Sequence, residues 1–148
     1  MEKDRRYWII VASKDHVKSA IQQGIAQTCH GKTAPLKRMK KGDLVLFYSG
    51  KETMGNPAKC QEFTAIGKVE DEEVYSVQIT ENFCPARRKV YFYNSEDISI
   101  LPLIDDLSFI QNKKKWGFPF RFGFFEINKH DYSIIASKML NEKTCQIK

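Results

Sequence analysis

The feature that most constrains this fold is a series of short apolar runs rich in β-branched and aromatic residues, each broken by glycine, proline or a charged turn. Tyr7–Ala12, Leu44–Tyr48, Phe63–Val69, Val74–Ile79 and Lys89–Tyr93 are five to seven residues long. Runs of that length read as strands and are too short for packed helices. Helical spacing is confined to three places. Asp15–Gln23 carries Val17, Ala20 and Ile21 on one face, with Ser13 or Asp15 to cap it and Gly24 to stop it. Leu103, Ile104, Leu107 and Ile110 suit a short helix packed on the sheet, and His130–Leu140 carries Tyr132, Ile135, Ala136 and Met139 behind the N-cap Asn128. The pattern predicts an α+β chain with a curled sheet of about five to seven strands, closed towards a small barrel because closure removes exposed edges. Helices flank the sheet. Ile9, Val45, Phe63, Ile66 and Val90 are expected inside, with Trp8 as core. Gly67 inside the third run is expected to mark a bulge or sharp bend.

One stretch joins this pattern to chemistry. Lys113, Lys114 and Lys115 lead into Trp116 and Gly117, after which Phe118, Phe120, Phe122 and Phe124 alternate with Pro119, Arg121 and Gly123. Alternation at period two predicts a last strand with one aromatic face, with Phe122 and Phe124 as core positions. Trp116 falls at a loop–strand junction, where a large ring can face a ligand. Rings beside lysines and an arginine also suit nucleic acid, since rings stack on bases and cations neutralise phosphate.

At 148 residues the chain has the size of a single domain, taken as 1–148, and a hydrophobic content of 42% suits a compact core. A net charge of +6 favours an anionic partner. The apolar runs are too short to cross a bilayer, and the N-terminal residues lack a signal-type segment, so a cytoplasmic protein without a membrane partner is expected. Cys29, Cys60, Cys84 and Cys145 are widely spaced with no C-x-x-C pair, which speaks for free thiols in a reducing compartment. Residues 24–35 and 49–60 read as loops, and Leu36–Asp43 as a short basic turn or helix.

Motifs that would suggest catalysis or a metal do not hold up. Cys29 and His30 are adjacent, whereas catalytic Cys–His pairs meet in space. Gly31-Lys32-Thr33 resembles the end of a P-loop, but the earlier glycine that loop requires is Ala26. Asp105-Asp106 has no further ligands at metal-binding spacing and reads as a solvent-facing helix start. No catalytic residue, metal or cofactor is expected.

Several motifs in order carry a family resemblance. These are Tyr7-Trp-Ile with Ala12-Ser-Lys-Asp-His, Gly31-Lys-Thr-Ala-Pro-Leu-Lys-Arg-Met-Lys-Lys-Gly-Asp43, Phe63-Thr-Ala-Ile-Gly-Lys-Val69, Phe83-Cys-Pro-Ala-Arg-Arg88, and Leu103 through Phe118. Together they resemble the EVE domain family of the PUA-like superfamily, over about Arg6 to Leu140. The resemblance implies a PUA-like pseudobarrel flanked by helices and a nucleic-acid-related role. EVE domains are related to YTH domains, which read methylated adenine in RNA, and resemble SRA domains, which read methylated cytosine in DNA. Both take a base out of its stack into a pocket. By that resemblance Ser13 occupies the place of the serine beside the YTH pocket. The cage tryptophan is missing, because the matching context here is Gly24-Ile25-Ala26-Gln27.

These readings combine into a base pocket built from Ser13, Ile25, Gln27, His30, Tyr48, Trp116 and Phe120, with Trp116 and the Gly24–Lys32 loop lining one concave site over Ser13. Trp116 gives a stacking face, and an amide such as Gln27 offers a donor and an acceptor side by side, as a base edge requires. The phosphate-binding candidates are Lys32, Lys37, Arg38, Arg87, Arg88, Lys113, Lys114, Lys115 and Arg121, expected as a rim around the pocket mouth. The function expected is non-catalytic binding of nucleic acid, DNA or RNA, through a modified or flipped base, by a monomer or weak dimer. The rival readings are a PUA-type binder of structured, tRNA-like RNA that extrudes no base, and an enzyme acting on a nucleotide-like ligand.

Overall fold

A computed structural model describes residues 5–27, 34–53, 55 and 58–140. Its strands are β1 (Tyr7–Val11), β2 (Ile25–Ala26), β3 (Leu44–Lys51), β4 (Lys59–Val69), β5 (Tyr75–Ser76), β6 (Ala86–Phe92), β7 (Ile98–Ser99) and β8 (Phe124–Ile127). The helices are α1 (Lys14–Gln23), α2 (Ala34–Lys37) and α3 (Lys129–Met139), with 3-10 helices at Leu101–Asp106, Lys113–Lys115 and Phe118–Phe122. The strands form one curled mixed sheet in the order β2-β6-β4-β3-β1-β8, with β5 on β6 and β7 on β4. Eight strands exceed the expected five to seven because β2, β5 and β7 are two residues each and leave almost no periodic signal.

Alternation along the strands feeds two cores, one on each face. Ile9, Leu46, Tyr48 and Phe63 point into a layer covered by α3 and the Leu101–Asp106 segment. Trp8, Ile10, Val45 and Phe47 point the other way, against Val17 of α1 and Leu36 and Met39 at and after α2. Ile9, Val45, Phe63, Ile66 and Val90 are all buried, as is Trp8. Fully burying side chains of this kind contributes roughly 1.5–3 kcal/mol each. The Trp8 indole N–H donates to Asp43 Oδ2 at 2.9 Å, and the same buried carboxylate accepts from the backbone N–H groups of Arg6 and Lys40. Asp43 thereby locks the Gly42 turn to β1.

Curvature arises at two places in β4. Phe47 pairs with Ala65 while Tyr48 pairs with Phe63, which leaves Thr64 as the extra residue of a bulge. The second register shift, between Ser49 and Lys51, spans Gln61, whose φ of 56° is left-handed. Gly67, where a bulge or sharp bend was expected, carries no bulge: it is in regular register with Val45. Its role is close approach: a Cβ there would stand 2.6 Å from Val90 Cγ1 and 2.7 Å from the Tyr91 carbonyl.

The helix ends follow the sequence closely. Gly24, at φ 67°, caps α1 with its N–H on the Ala20 and Ile21 carbonyls, and its own carbonyl accepts from Val90 N–H. Asn128 accepts from Asp131 N–H at the start of α3. Ser13 has extended N-cap geometry, but its hydroxyl donates to Asp15 Oδ1 at 2.5 Å and caps no backbone N–H. That bond is the main reason the Asp15 carboxyl lies below its ordinary pKa.

Two expectations about strands are corrected. Only Tyr75–Ser76 of the Val74–Ile79 run pairs as a strand, and Thr80 bridges to Phe83 in a tight turn. Phe118–Phe122 is a 3-10 helix, and the last strand starts at Phe124. Pro119 sits in its first turn, where a missing N–H costs nothing, and Gly123 at φ 74° ends it. Phe120 and Phe124 are buried, but Phe122 faces solvent and is no part of the core.

Candidate nucleic-acid interface

A cavity of about 470 Å³ opens beside α1, walled by Ile25 of β2, Phe47 of β3 and Arg87 of β6. Val17 and Ala20 of α1 complete its apolar wall, and Ile79 and Phe83 close it from the Thr80–Phe83 turn. The volume lies within the range of small-molecule sites. Four of its polar side chains form one chain of hydrogen bonds, with His16 also at the wall. Ser19 accepts from the Gln23 amide, whose oxygen accepts from an Arg87 Nη at 3.3 Å, and the Gln27 amide oxygen accepts from Arg87 Nε at 2.8 Å. Arg87 is therefore held by two amide carbonyls. Since those carbonyls are committed to it, what Gln27 and Arg87 have left to offer a ligand is N–H donors. No carboxylate lines the cavity among the described residues.

The expected pocket residues divide between the two faces of the sheet. Ile25 and Gln27 line the cavity. Ser13 is buried next to the lining residue Ala12 and is engaged with Asp15. Tyr48, Phe120 and Trp116 belong to the other face: Tyr48 stacks on Phe120 with centroids 4.0 Å apart, and Trp116 meets Phe120 edge-on at 6.5 Å. Burial raises the Tyr48 phenol above its ordinary pKa. Trp116 thus packs against a core and does not share the Gln27 cavity, because adjacent β3 residues Phe47 and Tyr48 point to opposite sides. His30 and Lys32 lie outside the described residues, as do Cys29 and Thr33.

The basic candidates likewise do not form one rim. Arg87 is at the cavity. Arg88 is 1% exposed, and its guanidinium donates to Asp71 Oδ1, the Asp71 carbonyl, and the carbonyls of Leu36 and Met39 at 2.6–2.8 Å. Its role is to pin α2 and its exit to β6, and it is buried away from any surface phosphate. Lys37 shares a cleft with Glu72 and Glu73. The Arg38 guanidinium lies 5.2 Å from the Trp8 ring centroid and 5.9 Å from that of Phe124. Lys113 Nζ donates to the Ile104 and Leu107 carbonyls. Lys114 is exposed, while Lys115 and Arg121 line a separate aromatic groove.

The sequence reading missed His16, Gln23, Phe47, Ile79 and Phe83 as lining residues. Phe83 carried one usable signal, an aromatic residue in a polar turn before Cys84 and Pro85. Among the described residues no helix is long and apolar enough to cross a membrane, and no cluster of His, Cys, Asp and Glu could hold a metal.

Comparison with known proteins places this architecture. A UPF0310 protein of Bacillus licheniformis is 47% identical over 128 residues, 86% of this chain and 87% of that protein. A UPF0310 protein of Mycolicibacterium gilvum is 47% identical over 132 residues, 89% and 94% of the two chains. Among solved structures, a hypothetical protein of Leishmania major aligns with a TM-score of 0.56 at 14% identity, over 91% of this chain and 94% of that one. A protein of Agrobacterium tumefaciens aligns at 0.54 and 13%, over 88% and 90%. At such identities these two share the fold and carry no further information. The family model described as EVE domain matches residues 6–138. With a match across nearly the whole chain and relatives close to half identical, the chain belongs to the EVE domain family.

Proposed function

We propose that this EVE domain is a non-catalytic nucleic-acid-binding module that holds one base, flipped or modified, in the cavity between α1, β2 and β6. The observation that carries the reading is Arg87, fixed by Gln23 and Gln27 at a cavity whose walls are apolar and aromatic. A flat heterocycle matches such walls, and the N–H groups of Gln27 and Arg87 match the acceptor atoms on its edge. The net charge of +6 favours the approach of a polyanion. A base whose edge carries oxo groups or ring nitrogens fits these donors better than one presenting an amino group.

Calorimetric titration with a panel of unmodified and methylated nucleosides, and with short oligonucleotides containing them, tests this. Arg87→Ala and Gln27→Ala should each weaken the best ligand while the melting temperature stays near that of the parent. Gln27→Ala should also alter the ranking of bases, since the edge carries selectivity. Failure of every nucleoside and oligonucleotide to bind, or binding by both variants as tight as the parent's, refutes the reading.

A further inference from the structure

We propose that the groove around Phe118 and Phe122 is a second nucleic-acid contact, a stacking platform for single-stranded DNA or RNA. The two phenyl rings are 54% and 67% exposed, and Phe122 is the most exposed large apolar side chain among the described residues. They meet edge to face, centroids 5.6 Å apart and planes at 90°. Their backbone is fixed: the 3-10 helix carries Pro119 in its first turn and ends on Gly123 in the left-handed region. Two large apolar rings exposed side by side mark a contact surface.

The charges around them indicate what it contacts. The groove encloses about 1060 Å³, with Phe109 and Phe125 among its walls and Lys115 and Arg121 at its side. The Arg121 guanidinium lies 6.0 Å from the Phe118 ring centroid. Among the described residues no acidic residue lines the groove, and no carboxylate pairs with Lys114, Lys115 or Arg121. Exposed rings beside cations that lack counter-ions complement a strand presenting unstacked bases and phosphates. A duplex keeps its base faces covered and offers the rings nothing. The groove shares no lining residue with the Arg87 cavity, and this proposal does not require that the cavity hold a base.

The test is fluorescence anisotropy with a labelled short oligothymidylate and a labelled duplex of equal length. The double variant Phe118→Ala/Phe122→Ala should bind the single strand about five- to a hundredfold more weakly, the range expected on losing one stacked base, with duplex binding and melting temperature unchanged. Phe122→Trp should retain the affinity. Lys115→Ala/Arg121→Ala should flatten the salt dependence by roughly one to two phosphate contacts. If nucleosides bind nowhere yet the oligothymidylate still depends on the two rings, the cavity reading falls and the platform stands. Undiminished single-strand binding by the double alanine variant overturns the platform. So does sedimentation showing that the parent self-associates through these rings, with the variant monomeric and its oligothymidylate affinity intact.

Discussion

Arg87 and Arg88 are adjacent, equally charged, and expected to respond oppositely to substitution. Replacing Arg88 with Met keeps most of the apolar stem and removes four hydrogen bonds, two of them to the buried ends of the Leu36–Met39 segment. Removing one partner of a buried ion pair costs roughly 3–5 kcal/mol because the other charge is left behind. Here the Asp71 side chain is 17% exposed and keeps its bond from Lys89 N–H, which places this part near the lower end. The Leu36 carbonyl keeps a bond from Met39 N–H at 3.4 Å, so the carbonyls of Met39 and Asp71 are the ones stranded, adding about 1 kcal/mol each. The sum, about 5 kcal/mol, is comparable to the whole stability of a marginal domain, which is roughly 5–15 kcal/mol. With a urea slope of about 2 kcal/mol per molar, the unfolding midpoint of Arg88→Met should fall by roughly 2–3 M. Arg87→Met, which frees the oxygens of the exposed Gln23 and the half-buried Gln27 at an open cavity, should shift it by less than about 0.5 M. Equilibrium urea unfolding followed by Trp fluorescence makes the comparison. Equal midpoints for the two variants, or an Arg88→Met protein that is fully stable and has lost nucleic-acid affinity, would refute the structural assignment of Arg88.

Three further outcomes are expected. Gly67→Ala should lower stability by about 1–3 kcal/mol in the same assay, since its Cβ would collide with Val90 and with the Tyr91 carbonyl; a neutral result would mean that β6 can move away. Trp116→Ala should cost about 2 kcal/mol through lost packing against Phe120, and nucleoside affinity at the Arg87 cavity should not change; loss of that affinity in a folded variant would return Trp116 to the pocket. Burial, reinforced by Glu62 and Glu52, pushes the Cys60 thiol up to about 12, so its reactive thiolate is scarce until the pH nears that value. Peptide mapping after iodoacetamide treatment at mildly alkaline pH should find the exposed Cys84 labelled well before Cys60, and equal rates would contradict it.

The sheet was legible because four of the five short β-branched runs pair as strands over most of their length, Val74–Ile79 being the exception, and the inward set at Ile9, Val45, Phe63, Ile66 and Val90 follows from them. The site was less legible because it depends on which side of a strand each residue takes. Phe47 and Tyr48 are both aromatic, yet one lines the cavity and the other stacks on Phe120 across the sheet. Starting the fifth strand at Lys89 hid the alternation Ala86, Arg88, Val90, which puts Arg88 inward and Arg87 out. The alternating phenylalanines misled for a related reason. Period two is meaningful only where the backbone can join a ladder, and Pro119 has no N–H to contribute. The clustered lysines said nothing of convergence, which only tertiary placement decides.

The position of β1 has a consequence for how the chain acquires its structure. Tyr7 is registered with Leu44 on one side and with Ile127 on the other. Thus β1 has one edge that only β8, made much later than β3, can cover. Between Tyr48 and Phe124 the ribosome needs about 4–15 s at ordinary elongation rates, and throughout that interval β1 and β3 can pair while the outer edge of β1 stays bare. A bare apolar edge is a template for association with other chains. Docking of β8 on β1 is a long-range closure, a slow class of event. A chain interrupted before Phe124 would leave that edge of β1 uncovered.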